Sequence, residues 1–201
     1  ARAWRSGSFT TPATNWSGMV KPLYLIGEPY ATAADLRVSA VHYHPLAPDA
    51  AETAALADVS ESDFEWIEFM NNGAAPVNLE GVTLEAGKPV SPIVLPAFTL
   101  APGERGVVVK RLAAFLLRHP AAASRVVAEW TGDKSLDNNG ETIIVRDRSG
   151  GLIVAFAYDD GNGWPSRADG DGGALEFLGP DNLPASYQNA ANWRTSAEIH
   201  G

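Results

Sequence analysis

The sequence predicts an all-β domain of two packed layers, and three observations predict it. Short apolar runs rich in β-branched and aromatic residues recur along the 201 residues, at strand rather than helix length. Between them fall 19 Gly and 14 Pro, which suits frequent turns better than a helical bundle. Two Asn-Gly pairs, Asn72-Gly73 and Asn139-Gly140, offer the positive backbone angles of tight β-reversals. With 45% hydrophobic residues, the chain can bury a sizeable core.

The organising stretch runs from Asp63 to Gly73. Trp66, Ile67 and Phe69 share it with Glu65 and Glu68, so one side of a strand faces a core and the other does not. Asn72-Gly73 then reverses the chain into a return strand at Val77 and Leu79, which predicts a central β-hairpin.

Residues 1–34 read as an amino-terminal arm, or as the end of a preceding β-domain, anchored by Trp4 and Trp16 and linked through residues 31–34. A lone hairpin is marginal in water, so this part needs a neighbour. The main domain spans 35–201. Its first strand alternates, with Leu36, Val38, Ala40 and His42 on one face and Arg37, Ser39, Val41 and Tyr43 on the other, until Pro45 stops it. Residues 46–62 form an Ala- and acid-rich loop with at most a helical turn. Leu112, Phe115 and Leu116 at helical spacing predict one short helix near 111–118, closed by Pro120. Runs at 142–146 and 152–158, joined by Ser149-Gly150-Gly151, predict a meander. A final strand at 174–178 follows, and Trp193 packs back on the sheets.

Net charge is −9, and no Lys or Arg lies between Arg37 and Lys88, where acids abound. Such a face repels phosphate backbones and anionic lipid, which disfavours nucleic acid as a partner. Arg105, Lys110, Arg111, Arg118 and Arg125 make a small opposite patch, read as the solvated side of one helix. No run approaches the roughly 20 apolar residues that cross a bilayer, so membrane insertion is not expected. Absence of Cys excludes disulfides and thiolate metal sites. The chain opens Ala-Arg-Ala-Trp without an initiator Met, as expected of a piece of a longer protein.

Two patterns could carry chemistry. His42 and His44 share a face on a regular strand and could ligate Zn²⁺, although a hydrogen-bonded turn element at the strand end is the commoner reading of His-Pro. The loop from 159 to 173 gathers Asp159, Asp160, Asp169 and Asp171 around Trp164 and could hold Ca²⁺. Its spacing is not that of the twelve-residue calcium loop, and Asp side chains bonding backbone amides while Trp164 and Pro165 plug one end is the simpler reading. No cofactor is otherwise implied. Exposed Trp residues among Trp4, Trp16, Trp130 and Trp164 would open a third possibility, carbohydrate stacking.

Several motifs recur together: Tyr43 with Pro45, Trp66 with Glu68 and Asn71, Val77-Asn78-Leu79-Glu80-Gly81, Pro102-Gly103, Asn139-Gly140, Trp164-Pro165 with Gly170, Ala174-Leu175-Glu176, and Trp193. In this order from Leu36 to Gly201 the chain resembles the lamin-tail domain, particularly its bacterial branch. The resemblance implies an immunoglobulin-like β-sandwich with those residues in structural roles. Val82 stands where that family usually has Trp, the closing Gly-x-Pro-Gly is absent, and the 46–62 loop is long. It further implies a bacterial protein that is secreted, periplasmic or at the cell surface. There the domain would be a non-catalytic binding or anchoring module, whose partners are other domains of the same chain, a protein or a cell-surface ligand. No catalytic residue is carried over. Against this stand a metal-dependent binding or hydrolytic site at Asp159–Asp171 and a carbohydrate-binding module.

Overall fold

A computed structural model describes residues 28–87, 92–130 and 134–201. Along them run β1 (Leu36–His42), α1 (Ala50–Ala55), β2 (Trp66–Asn71), β3 (Val77–Asn78), β4 (Thr83–Glu85), β5 (Ile93–Val94), β6 (Thr99–Leu100), β7 (Arg105–Val109) and α2 (Leu112–Arg118). Then follow β8 (Val126–Glu129), β9 (Thr142–Arg146), β10 (Leu152–Ala157), β11 (Leu175–Phe177), α3 (Pro184–Tyr187) and β12 (Trp193–Thr195). Short 3-10 helices lie at Glu61–Phe64, Pro120–Arg125, Ser166–Ala168 and Ala190–Asn192. The predicted arm, with Trp4 and Trp16, lies outside the described residues.

The main sheet has six strands in the order β12-β11-β1-β2-β7-β8; a four-stranded sheet runs β10-β9-β4-β5, and β3 pairs with β6. Neighbours are antiparallel except β7 and β8, which run parallel with Val107 opposite Val126 and Val109 opposite Glu129. Parallel neighbours need a crossover, and α2 with the Pro120–Arg125 helix supplies it. The expected all-β immunoglobulin-like sandwich with one short helix is therefore corrected. The main sheet is mixed, and the described residues carry three α-helices and four 3-10 helices. Local spacing placed α2 where it lies, but it says nothing of which strands the helix joins side by side.

The central hairpin is corrected as well. β2 lies between β1 and β7 in the main sheet, whereas β3 pairs with β6 elsewhere. Asn71 governs the exit from β2: its amide donates to the carbonyls of Ala75 and Leu100 at 2.8 Å, and its oxygen accepts from the Gly73 N–H at 2.8 Å. A side chain has replaced the turn chemistry, and Gly73 does not adopt a positive φ. Asn139-Gly140 does turn the chain, with Gly140 at φ 99° and so close to the Tyr158 carbonyl that a Cβ would collide with it. β9 and β10 pair as the meander predicted.

Alternation along β1 breaks at Ser39, where the pairing with β2 slips between Val38 and Ala40. A bulge inserts one residue and flips everything beyond it. Leu36, Val38, Val41 and Tyr43 consequently face the core, while Ala40 and His42 face the other side. That core joins both large sheets, with Ile67, Phe69 and Val108 meeting Leu84, Ile143, Val145, Val154 and Phe156. Its far end is closed by aromatics: Phe177 stacks on Tyr187 at 3.8 Å, the Trp193 indole donates to the Tyr187 carbonyl at 2.7 Å, and the Tyr187 hydroxyl donates to Val38 at 2.9 Å. Ala31, placed in the linker by its sequence, is buried in this core, and its N–H donates to Asn78 at 2.9 Å.

Candidate functional site

The outer face of the main sheet gathers the charges. Ala40, Trp66, Val107, Val109, Phe115 and Ala174 make a second, smaller apolar cluster there. One wall is built by α2 and the helix after it, the other by residues 196–201, and between them lies a groove of about 340 Å³. At its centre the Glu68 carboxylate, 7% exposed, accepts from the Ser39 hydroxyl at 2.8 Å and pairs with both Arg105 and Arg125. Beside it Arg194 donates to Glu176 at 2.7 Å. The strand pairings explain this convergence. Glu68 on β2 sits opposite Val107 on β7, and the parallel crossover brings Arg125 back just before β8.

The basic patch read as the solvated side of one helix is therefore dispersed into pairs. Arg105 and Arg125 clamp Glu68, Arg111 pairs with Asp63 at 3.4 Å, and Lys110 is buried. Arg118, its side chain 2% exposed, makes a two-pronged bridge to Glu52 at 2.7 and 3.0 Å and ties α1 to α2. α1 begins with a capping box of Asp49 and Glu52, a start signal that the 46–62 loop reading passed over.

His42 and His44 are not brought together. His42 is buried against Trp66, and burial holds its imidazole down at about 3, so it is neutral near neutrality. His44 bridges two carboxylates, with Nδ1 2.6 Å from Asp169 and Nε2 3.1 Å from Glu61. It thereby fastens the acidic loop and the Glu61–Phe64 helix to the end of β1, the hydrogen-bonded strand end that competed with the zinc reading. Gly170 fits the same tie: at φ 81° a Cβ there would lie 3.2 Å from the His44 ring.

The acidic loop does not converge either. Asp159 accepts from the Gly161 N–H at 2.8 Å and from Asn162 at 3.2 Å, bonds that hold its carboxyl below the usual range. Asp169 faces His44, and Asp171 is exposed. Among the described residues no group of three His, Asp or Glu side chains is placed to hold a metal ion. Trp164 is half-buried and packs on Trp193 at 5.5 Å, while Trp66, Trp130 and Trp193 are buried. The three buried rings present no free face for sugar stacking, whereas Trp164 keeps part of its ring in solvent.

Glu65, grouped with Glu68 among the carboxylates of the central strand, is buried on the core side. It is 1% exposed, accepts from the Leu136 N–H at 2.8 Å, and is pushed up to about 9, mainly by burial. A Glu two residues before Ile67, on the core-facing phase of β2, was the available signal.

No family model matches the chain, and no curated protein matches it. Among solved structures, the Pseudomonas fluorescens alkylpurine DNA glycosylase AlkC, bound to DNA containing an abasic site analog, is similar at 13% identity and a TM-score of 0.22. The likeness covers 47% of this chain and 24% of that one. So distant a likeness defines neither fold nor activity here. Among the described residues, no helix is long and apolar enough to cross a membrane.

Proposed function

We propose that the domain is a non-catalytic binding or anchoring module of a larger exported bacterial protein, the role that its resemblance to lamin-tail domains implies. The outer-face groove is the observation that carries this reading. Its lining sets the apolar Trp66 and Phe115 beside a central cluster of mutually neutralised charges, Glu68 with Arg105 and Arg125 and Glu176 with Arg194. A concave surface that offers aromatic and arginine side chains together has the residue types enriched where proteins are recognised. Glu68, which acid–base chemistry would need unencumbered, is held by Ser39, Arg105 and Arg125. The partner is another domain of the same chain, a second protein or a cell-surface ligand.

Two measurements test it. Cell fractionation of the full-length protein is expected to place it outside the cytoplasm. Filling the groove with Ala122→Trp is expected to abolish capture of the neighbouring domains of the same chain, or of a surface extract, while the melting temperature holds. Turnover in a panel of ester, phosphodiester, glycoside and peptide substrates that disappears on substituting one His or Asp would overturn the reading.

A further inference from the structure

Three of the four histidines come from distant parts of the chain and meet on the outer face. His42 ends β1, His119 caps α2, and His200 belongs to the tail. His42 stacks on Trp66 with ring centroids 5.4 Å apart; His119 meets Trp66 edge-on at 6.4 Å and Phe115 at 4.7 Å. Nδ1 of His200, Nε1 of Trp66 and Nη1 of Arg118 are buried without a hydrogen-bond partner, and the buried His42 ring has no polar neighbour beyond the Gly173 backbone, too poorly aligned for a full hydrogen bond. Such a concentration of unpartnered polar atoms marks a place where a native fold stores instability.

The tail is tied to this place by few bonds. Ser196 anchors its root, its N–H donating to Ala174 at 2.8 Å and its hydroxyl accepting from the Ala174 N–H at 3.0 Å. Beyond it, the His200 N–H donates to Gly172 at 2.6 Å, and the His200 backbone is hydrogen-bonded to the His119 ring. Gly201 presses on the Trp66 indole so closely that a Cβ would not fit. Ser196, Ala197, Glu198 and Gly201 line one end of the groove.

We propose that residues 197–201 are an acid-released strap: protonation of the His42–His119–His200 cluster lifts the tail from Trp66 and opens that end of the groove. Every titratable or charged side chain facing His42 opposes its protonation, namely His119, Arg118 and His200, and only the Gly173 backbone favours it. Carboxylates reach only the other two rings. Glu198 faces His119, while Glu52 and Asp49 face His200, and Glu52 is already engaged by Arg118. A first proton on His42 therefore has no counter-charge. Burial depresses all three imidazoles, so the stability they contribute is complete above their ordinary pKa and is lost as pH falls below it. If the open strap admits water to His42, its opening constant rises about tenfold per pH unit through this ring alone. The opening of the groove matters for binding only if the proposed function holds; the strap's release does not depend on it.

Amide exchange of the full chain, corrected for the intrinsic pH dependence of exchange, tests the strap. The His200 amide is expected to lose at least about fivefold protection between about pH 6.5 and about pH 5.5 while the β9–β10 amides keep theirs. His42→Phe, which keeps the ring stack but cannot titrate, is expected to move the loss to lower pH. His119→Gln and His200→Gln, at less buried positions, are expected to make it shallower and serve if His42→Phe does not fold. Unchanged His200 protection at the lower pH overturns the strap, as does its loss only together with β9–β10. A midpoint unmoved in every histidine variant does the same. Loss of binding at neutral pH bears on the groove alone.

Discussion

The two faces of the main sheet are built by the same strands and obey different rules. Toward the second sheet, Val38, Val41, Ile67, Phe69, Val108 and Leu175 form a dry, close-packed layer. On the opposite side, the alternate residues Ala40, His42, Trp66, Glu68 and Glu176 mix apolar floor with charge, and a groove replaces close packing. Difference in cover accounts for this. A whole sheet seals the inner face, whereas a two-turn helix, a 3-10 helix and a tail only partly seal the outer one. Glu68 and Glu176 survive on the outer face because Arg105, Arg125 and Arg194 lie within reach.

Breaking the inner face should cost most. Trp193→Ala removes a ring packed on Phe156, Phe177 and Trp164 together with its bond to Tyr187. It is expected to cost about 4 kcal/mol in denaturant unfolding. A loss below about 1 kcal/mol would mean that the aromatic end is not part of the cooperative core.

Next comes the outer face. Glu68→Ala leaves Arg105, Arg125 and Ser39 without their shared acceptor. Because both arginines are nearly half exposed, water takes over part of their solvation. The expected cost is about 2 kcal/mol rather than the larger penalty of a fully buried pair.

Glu65 sharpens the comparison, being a carboxyl on the dry side. Its folded pKa is raised, so its contribution is complete below the ordinary carboxylate value of 4.5 and is lost as pH rises toward about 9. Glu65→Gln can still accept from Leu136 and does not ionise. Relative to the wild type it should gain stability with rising pH, by up to about 1.4 kcal/mol per unit across that window. A pH-independent difference between the two chains would show that Glu65 is solvated.

The smallest effect is expected at the exposed loop. Asp159→Asn disturbs only local turn bonds and should leave the melting temperature unchanged. Millimolar Ca²⁺ or Zn²⁺ should likewise produce no shift in the parent chain. A rise in melting temperature that Asp159→Asn abolishes would restore a metal site to this loop.

Much of the local structure was legible in the residues. Apolar runs marked β7, β9, β10 and β11, the spacing of Leu112, Phe115 and Leu116 placed α2, and Ser149-Gly150-Gly151 marked the β9–β10 turn. The site was less so. Glu68 and Trp66 were singled out as structural residues, but Arg105 and Arg125 were read as one helix's solvated charges. His119 and His200 carried no signal at all.

Sequence by itself determined the elements whose cause lies within a few residues: the strand-forming runs, one helix, the Gly-bearing turns, the acidic balance and the absence of thiol chemistry. Tertiary structure alone decided what those elements meet. The bulge at Ser39 chose the face of every later residue in β1, and the crossover made β7 and β8 parallel neighbours. Folding also carried the tail back to His119 and Trp66. Periodicity records which side of an element is apolar, because that follows from neighbours in the chain. Pairing across the sheet is set by the best joint burial of all the elements together, which no single stretch of residues encodes.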